Sequence, residues 1–294
     1  MADGVNDCIN EHLFCVYGLR RSGNHAVISW IMDSLPGRPQ VHLNDLHLLN
    51  PHPYQTFTFA RIRGIDRYTC RRKRWGINRF ILTLIAGPLV PTTWRLHVDS
   101  RLAARITPLD IEAMRRTKKH VLVLSYEDVD LENPRLHLFL ETADRKVGTS
   151  GARSQVLILR DPYNLFASLM KKGYMTATSA QFYVRLWKQH ARHFESGRDA
   201  AGRPLVMVNY NAWTSDPAYR IETGRRLGFE TDGTAYMGVP VYGGGSSFEG
   251  IAASAESLST GDRWMSFVND AGYRSLFDDE VRQMARDIFA MEPF

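Results

Sequence analysis

The sequence predicts an α/β fold of the three-layer, P-loop-like kind, in which helices flank a central parallel sheet. Short apolar runs alternate along the chain with longer stretches of helical periodicity, a pattern typical of parallel sheets covered by helices. The first apolar run passes into a helix through a turn bounded by two glycines. A later apolar run ends at an Arg-Asp-Pro sequence that starts another helix. Both junctions are strand-to-helix turns, which are the building units of such a sheet.

Apolar runs of strand length predict the sheet. Leu13–Tyr17, near the start, and Val156–Leu159, near the middle, are almost wholly apolar, as strands buried on both faces of a parallel sheet are. A further run, Leu205–Val208, leads into Asn209 and Tyr210. Strands are predicted at about 12–18, 40–44, 120–126, 155–160 and 204–210.

Capping and charge patterns predict where the helices begin and end. Pro36-Gly37 stops the first helix. A helix near 108–118 has basic residues in its last turn, as the helix dipole favours. Asp161 is a good N-cap, and Pro162 suits the first helical position. Helices are predicted at about 24–35, 108–118, 162–172, 177–196, 216–227 and 278–290.

The composition is that of an ordinary globular protein. Its 294 residues are 44% hydrophobic and 23% charged, so we predict one α/β domain over 1–294. The segment from Asn44 to Thr107 has no clear period and predicts an insertion at about 45–107. The net charge of +6 suits a highly anionic ligand.

The glycine-bounded turn has the geometry of a phosphate cradle. Gly18 and Gly23 have the spacing of the glycines in G-x-x-x-x-G-K-[ST], whose backbone N–H groups converge on an anion at a helix N-terminus. Asn24 stands where that motif has lysine, and His25 stands where it has the hydroxyl that holds magnesium. The loop is therefore poorly suited to metal-assisted triphosphate chemistry and favours a different nucleotide.

Arg160 and Ser168 predict a second phosphate grip. Arg160 ends a predicted strand, and Ser168 lies about two turns into the helix that follows. Open α/β sheets bind ligands at such strand ends. An arginine and a serine there can hold a phosphate by charge-assisted hydrogen bonds.

These motifs resemble those of sulfotransferases that use 3′-phosphoadenosine 5′-phosphosulfate (PAPS), in the arginine-loop, bacterial-type branch. Arg21–Asn24 matches the 5′-phosphosulfate loop of that family, with Asn24 in place of the usual threonine. Arg160, Pro162 and Ser168 match its R-x-P-x(5)-S motif for the 3′-phosphate. Tyr210, at a strand end before an Asp-Pro helix, matches a tyrosine close to adenine.

A weaker match lies nearer the C-terminus. Gly243–Phe248 is a glycine-rich loop, and Arg263 and Trp264 follow it; family members place such a loop over the 3′-phosphate. The resemblance implies a PAPS site, without a metal, made of Arg20, Arg21, Ser22, Gly23, Asn24, His25, Arg160, Ser168, Tyr210, Gly244, Ser246 and Arg263. It also implies that the insertion at 45–107 shapes the acceptor pocket.

The resemblance implies a reaction and leaves the general base open. Arg21 is the candidate that stabilises charge on the bridging oxygen of the donor, with help from Asn24 or His25. The acceptor is a hydroxyl, with a carbohydrate as the first guess by analogy with the family. The candidate bases lie at the ends of predicted strands two and three: His42, Asp45, Glu127 and Asp128. Among them, the resemblance favours a carboxylate over His42.

Other features bear on compartment and partners. The three cysteines are few and odd in number, which favours reduced thiols in the cytoplasm. The first ten residues have no apolar run typical of a signal peptide, and the longest apolar stretch, Phe80–Val90, is too short to span a bilayer. No nucleic-acid partner is expected.

Two alternatives come from other classes of protein. A P-loop-type nucleotide kinase would have an unusual loop, and Asn24 and His25 count against it. A non-catalytic binder of anionic polymers would rest on the net charge and on the basic run from Arg61 to Arg79. Such a binder has no need of Arg160, Ser168 and the Gly243 loop. The same basic run would also suit the entrance to a donor or acceptor pocket, where its positive charge would attract an anion.

Overall fold

The structure is a computed structural model that describes residues 8–46, 48, 52–55, 57–65, 94–98, 101–106, 111–234 and 261–294. Its strands are β1 (Asn10–Gly18), β2 (Gln40–Asn44), β3 (Phe59–Arg63), β4 (Trp94–Val98), β5 (Arg101–Ile106), β6 (Lys119–Glu127), β7 (Ser150–Leu159) and β8 (Val206–Asn209). Its helices are α1 (Asn24–Ser34), α2 (Ile111–Arg116), α3 (Pro134–Glu141), α4 (Ala143–Val147), α5 (Pro162–Lys171), α6 (Ala180–Ser196), α7 (Tyr210–Ser215), α8 (Pro217–Leu227), α9 (Ala271–Arg274) and α10 (Asp279–Phe289). Short 3₁₀ turns lie at Pro53–Gln55 and Arg263–Phe267.

The strands form a mixed sheet in the order β5-β4-β3-β2-β6-β1-β7-β8. Strands β2 and β6 pair in parallel, as do β3 and β4, and β7 and β8. The pairs β2–β3 and β4–β5 are antiparallel. The predicted α/β class, with a sheet flanked by helices, is confirmed.

The predicted elements are present with small shifts at their ends. All five predicted strands occur, and the strand at the middle of the chain begins earlier than predicted, at Ser150. Asp161 caps α5, since its carboxylate accepts a hydrogen bond from the backbone N–H of Asn164. The helix predicted at 108–118 is observed over Ile111–Arg116, and residues 107–110 lie outside the described part.

Three strands in the segment at 45–107 were not predicted. Strand β3 buries four consecutive residues, Phe59–Ile62, among them Arg61 at 2% exposure. A strand buried on both faces shows no alternation of polar and apolar residues, and a buried arginine hides it further. Strand β4 alternates apolar and polar residues over its five positions, too short a run to stand out in this segment, whereas two adjacent alanines in β5 break a period of two.

The chain forms two compact units. The first comprises Met1–Val16, Pro36–Glu127 and Glu132–Gln155, and the second comprises Tyr17–Leu35, Asp128–Leu131 and Val156–Phe294. The core of the second unit is an apolar cluster in which Leu19, Phe166 and Trp187 are fully buried. Both predicted phosphate grips belong to this second unit. The assignment of 1–294 as one domain stays a prediction.

Candidate functional site

The turn after β1 holds its backbone in an unusual conformation. The N–H of Ser22 donates to the carbonyl of Leu19 (3.1 Å), which closes a β-turn whose third residue is Arg21. Arg21 has φ of 71°, in the left-handed region that normally favours glycine or asparagine. A residue held there costs about 1–3 kcal/mol, and such strain is common at ligand-binding sites. The turn therefore needs support from its surroundings.

Gly23 is required by two features of this turn. It precedes α1 with φ of 89°, a conformation that side chains disfavour. A Cβ at this position would also overlap the ring of Tyr210. The tyrosine ring therefore lies directly against the backbone of the loop. Because α1 begins at Asn24, its N–H groups and the positive end of its dipole favour an anion at this turn.

Asn24 stabilises the turn after β1 by a hydrogen bond within it. Its Nδ2 donates to the carbonyl of Leu19 (3.1 Å), and the residue is only 4% exposed. It occupies the position at which a P-loop has its phosphate-binding lysine, and it supports the turn internally. Oδ1 of Asn24 and Oγ of Ser22 are buried and have no hydrogen-bond partner among the described residues.

The turn after β7 is built by a chain of caps. Asp161 accepts from the N–H of Asn164 (2.7 Å) and from its Nδ2 (3.0 Å). Oδ1 of Asn164 in turn accepts the backbone N–H of Arg263 (2.8 Å), which fixes Arg263 beside the start of α5. The carbonyl of Arg160 accepts from Nε1 of Trp187 (2.9 Å). These bonds determine where Arg160 stands.

The two predicted phosphate grips meet. Nε of Arg21 donates to Oγ of Ser168 (3.3 Å), and Nη1 of Arg160 donates to the carbonyl of Arg21 (3.3 Å). Arg160 is 2% exposed, and Ser168 is fully buried. Two guanidinium groups and a hydroxyl thus lie at one end of the loop. Charge-assisted hydrogen bonds from such groups suit an anion with several oxygens.

Tyr210 connects the two turns. The Arg160 guanidinium lies 5.6 Å from the centroid of the Tyr210 ring, a cation–π distance. Trp213 stacks on the same ring at 5.8 Å and meets Trp30 edge to face at 5.9 Å. Tyr210 is 8% exposed, so little of its ring is accessible for contact with a nucleobase such as adenine. The aromatic stack buttresses the loop and Arg160 together.

His25 stands at the start of α1 as a neutral side chain. Burial and, to a smaller extent, the neighbouring Arg21 guanidinium together lower the pKa of His25 to about 4. At neutral pH the imidazole therefore adds no charge to the site.

Arg20, near the start of the turn after β1, forms an ion pair with Asp128. The Asp128 carboxylate accepts the backbone N–H of Arg20 (2.8 Å) and also its Nε. The Arg20 guanidinium lies over the ring of Tyr174 at 4.9 Å. Two residues predicted for different roles, donor binding and proton abstraction, are thus engaged with each other.

The other three candidate bases belong to the first unit. His42 is fully buried in β2, with Nε2 3.0 Å from Oγ of Ser125, and that hydroxyl donates to Oδ1 of Asn44 (3.0 Å). Asp45 follows β2 in a left-handed conformation with φ of 53°. Glu127 is the last residue of β6 and is partly buried.

Several predicted features lie outside the described residues. They include Gly244 and Ser246 of the glycine-rich loop, and the part of the basic run from 66 to 79. Of that run, Arg61 is buried in β3, where it pairs in register with His42.

Three contributors to the site were missed by sequence reasoning. Asn164 carries the bond to Arg263, Trp213 stacks on Tyr210, and Tyr174 lies under Arg20. The sequence did contain a sign of the role of Asn164, because it stands three residues after an Asp N-cap, where a side chain faces the cap. The sequence contains no comparable sign for Trp213 and Tyr174, since aromatic residues are usual in any core.

Within the described ranges, no group of three or more histidine, cysteine, aspartate or glutamate side chains is placed to hold a metal ion. Among those same residues, no helix is long and apolar enough to cross a membrane.

No protein-family model matches the chain, and no curated protein matches it. Among solved structures, the sulfotransferase domain from the olefin synthase of Synechococcus PCC 7002 is similar. The similarity covers 99% of this chain and 99% of that chain, at 18% sequence identity and a TM-score of 0.49.

Proposed function

We propose that this protein is a sulfotransferase that moves a sulfuryl group from PAPS to an acceptor hydroxyl. One observation supports the proposal most. Arg21, from the turn after β1, and Arg160 with Ser168, from the turn after β7, lie within hydrogen-bond distance of one another. The same residues match the two phosphate motifs of PAPS-dependent sulfotransferases, and a donor with two separate phosphates needs both.

The reaction is an in-line displacement. The acceptor oxygen forms a bond to sulfur while the bond from sulfur to the bridging oxygen of the donor breaks. The hydroxyl proton goes to a general base, and the 5′-phosphate leaves with the electron pair. Arg21 and the loop N–H groups are the groups we assign to the charge that builds on the leaving oxygen.

Arg160, Ser168 and Arg263 have a different role in the proposal. They would hold the 3′-phosphate, which does not change during the reaction, together with Gly244 and Ser246 of the glycine-rich loop. Tyr210 would border the adenine, and Ser22, Asn24 and neutral His25 would complete the cradle. The donor is a co-substrate, and the proposed chemistry requires no metal.

The proposal also covers the acceptor and the compartment. We take a carbohydrate hydroxyl as the first acceptor class to test, because the family that the motifs resemble acts on such groups. The few cysteines of the sequence suit a cytoplasmic protein.

Asn24 bears on the kinase alternative. A nucleotide kinase uses a lysine at this position to reach the outer phosphates, whereas Asn24 donates to Leu19 within its own loop and is 4% exposed. An anionic-polymer binder, in turn, would not require Arg160 to be buried against the loop.

Calorimetric titration with three nucleotides tests the proposal: adenosine 3′,5′-bisphosphate, AMP and ATP, each with and without magnesium. We expect the bisphosphate to bind roughly 10–100-fold more tightly than AMP without magnesium, because the second phosphate adds charge-assisted hydrogen bonds. Equal affinity for AMP, or an absolute need for magnesium, would contradict the proposal. Preference for ATP would support the kinase.

A pair of arginine variants provides the control. Arg160→Ala should remove most of the preference for the bisphosphate over AMP. Arg192→Ala removes the same charge from an exposed site, where the arginine pairs with Glu280, and should leave the preference unchanged. An equal loss in both variants would mean that net charge alone attracts the nucleotide.

A further inference from the structure

Asp128 contacts the phosphate-binding loop at three points. One carboxylate oxygen accepts the backbone N–H of Arg20 (2.8 Å), and the other accepts Nε of the same arginine. The backbone N–H of Asp128 donates to the carbonyl of Gly18 (3.2 Å). The contact thus reaches both the end of β1 and the second residue of the turn that follows it.

The side chains around this pair are also engaged. The hydroxyl of Tyr183 donates to Oδ2 of Asp128 (3.4 Å). The Arg20 guanidinium lies over Tyr174, and the Asp128 side chain is 9% exposed, whereas that of Arg20 is 31% exposed. A largely buried carboxylate therefore offsets the charge of Arg20 at the edge of an anion site.

The turn that Asp128 supports is the one that needs support. Arg20 precedes Arg21, whose left-handed φ of 71° places its side chain toward Ser168 and its carbonyl toward Arg160. Fixing the N–H of Arg20 restricts the peptide that leads into this conformation. A preorganised loop loses less conformational freedom when it binds a ligand.

We propose that Asp128 is a positioning residue that holds the phosphate-binding loop through Arg20, and that Arg20 supports the loop and does not bind the donor. The proposal rests on the proposed function in naming the ligand of the loop. It differs from the sequence-based expectation, which placed Arg20 in the donor site and Asp128 among the candidate bases. A carboxylate that carries two bonds from Arg20 is committed to the loop.

The chain contains a matched control for this contact. Asp199 accepts the backbone N–H of Arg203 (2.9 Å) and its Nε (2.7 Å), so it makes the same two-point contact in a turn of the same unit. That turn contains none of the residues assigned to the phosphate site. Asp199→Ala therefore removes the same kind of contact without touching the loop.

The test compares Asp128→Ala, Asp128→Asn, Arg20→Ala, the double variant Arg20→Ala with Asp128→Ala, and Asp199→Ala. For Asp128→Ala we expect the Kd of adenosine 3′,5′-bisphosphate to rise roughly 10–100-fold. Arg20→Ala should do the same, and the double variant should bind no worse than either single variant, since both remove one contact. Asp128→Asn can still accept the Arg20 N–H and should fall in between. Asp199→Ala should bind as the wild type does.

Two results would overturn the proposal. If Asp128→Asn bound the bisphosphate as tightly as the wild type but turned over no donor, Asp128 would be the general base. If Arg20→Ala weakened binding while Asp128→Ala left it unchanged, Arg20 would contact the donor itself.

Amide hydrogen exchange separates this proposal from the proposed function. In the absence of any nucleotide, the peptide covering residues 18–24 should exchange faster in Asp128→Ala than in the wild type or in Asp199→Ala. If the wild type fails to bind the bisphosphate, the sulfotransferase proposal fails, and this measurement still decides the role of Asp128. Unchanged exchange in Asp128→Ala would overturn that role.

Discussion

Nε of Arg21 lies 3.3 Å from Oγ of Ser168, although the two residues are 147 positions apart in the chain. The resemblance of the sequence motifs implies that they bind different phosphates of one donor. The contact shows that the two groups adjoin one another, so a guanidinium that belongs to the first turn borders the second. In the proposed function, a bound donor would replace this contact with contacts to its phosphate oxygens.

The first prediction separates the roles of the two arginines. Arg21→Ala should mainly lower kcat, because its interaction grows as charge develops on the leaving oxygen. Arg160→Ala should mainly raise the Kd of the donor, by roughly 10–100-fold, because the 3′-phosphate does not change in the reaction. Release of adenosine 3′,5′-bisphosphate with a panel of hydroxyl acceptors measures the turnover.

Arg21→Lys is the conservative control for this prediction. It keeps the charge but loses the planar fork of the guanidinium, so its kcat should lie between those of the wild type and Arg21→Ala. If both alanine variants changed only the apparent affinity for the donor, Arg21 would have no catalytic role.

The second prediction concerns the contact between Gly23 and Tyr210. Gly23→Ala should weaken bisphosphate binding and destabilise the protein by about 1–3 kcal/mol, because it adds strain at positive φ and a clash with the tyrosine ring. Thermal unfolding and calorimetry measure both effects. The loop cannot accept a Cβ without moving its aromatic neighbour.

Gly228 offers the control for the strain alone. It has φ of 84°, similar to that of Gly23, and a Cβ there would meet nothing within 4 Å. Gly228→Ala should therefore cost less stability than Gly23→Ala and leave bisphosphate binding unchanged. Equal effects of the two substitutions would show that the Tyr210 contact is unimportant.

The third prediction concerns the charge of His25. Because the pKa of His25 is about 4, its imidazole stays neutral from pH 5.5 to 8. The ratio of bisphosphate affinities between the wild type and His25→Gln should therefore be constant over this range. A ratio that rises as the pH falls through 6.5 would indicate that His25 protonates at its ordinary pKa and then attracts the anion.

The fourth prediction is a pH dependence of stability that arises away from the site. His190 is fully buried, and its Nε2 lies 2.8 Å from the carbonyl of Val129. Burial lowers the pKa of His190 to about 4, from an ordinary value of 6.5. Between these values the unfolded chain binds a proton that the folded chain does not, so stability falls as the pH falls from about 6.5 to about 4.

His190→Gln tests this pH dependence, because glutamine can still donate a hydrogen bond to Val129. Between pH 7 and pH 5 the wild type should lose about 1–2 kcal/mol more unfolding free energy than this variant. Urea unfolding at the two pH values measures the difference. Parallel losses in both proteins would mean that His190 titrates alike in the folded and unfolded states.

The fifth prediction concerns the general base. Substitution of one residue among His42, Asp45, Glu127 and Asp128 should abolish transfer while bisphosphate binding remains. The family resemblance favours a carboxylate over His42, and we assign Asp128 to holding the loop through Arg20, so we expect Glu127→Gln or Asp45→Asn to have this effect. Loss of the proton acceptor should lower the rate by roughly two to four orders of magnitude.

Turnover at saturating donor measures the four amide variants side by side: His42→Gln, Asp45→Asn, Glu127→Gln and Asp128→Asn. Calorimetry on each variant separates loss of transfer from loss of donor binding; His42→Gln, Asp45→Asn and Glu127→Gln should bind the bisphosphate as the wild type does, and Asp128→Asn more weakly. Near-native turnover in all four would place the base in the segment from 46 to 107.

The sequence was sufficient where structure depends on neighbours along the chain. The glycine spacing at Gly18 and Gly23 and the Asp161-Pro162 cap are local signals, so the turns and helix starts they predict are the ones observed. The strand Phe59–Arg63 was not predicted, because a strand buried on both faces carries no alternation in its sequence.

The sequence by itself thus determined the α/β class, both strand-to-helix turns and the residues that line them. The tertiary structure decided which of those residues touch. Nothing within a few residues of Arg20 indicates that its partner is Asp128, and nothing near Arg21 indicates Ser168. Backbone conformation follows from caps, turns and periodicity over a few residues. Contacts between side chains more than 100 positions apart depend on how the strands and helices pack, which local patterns do not encode.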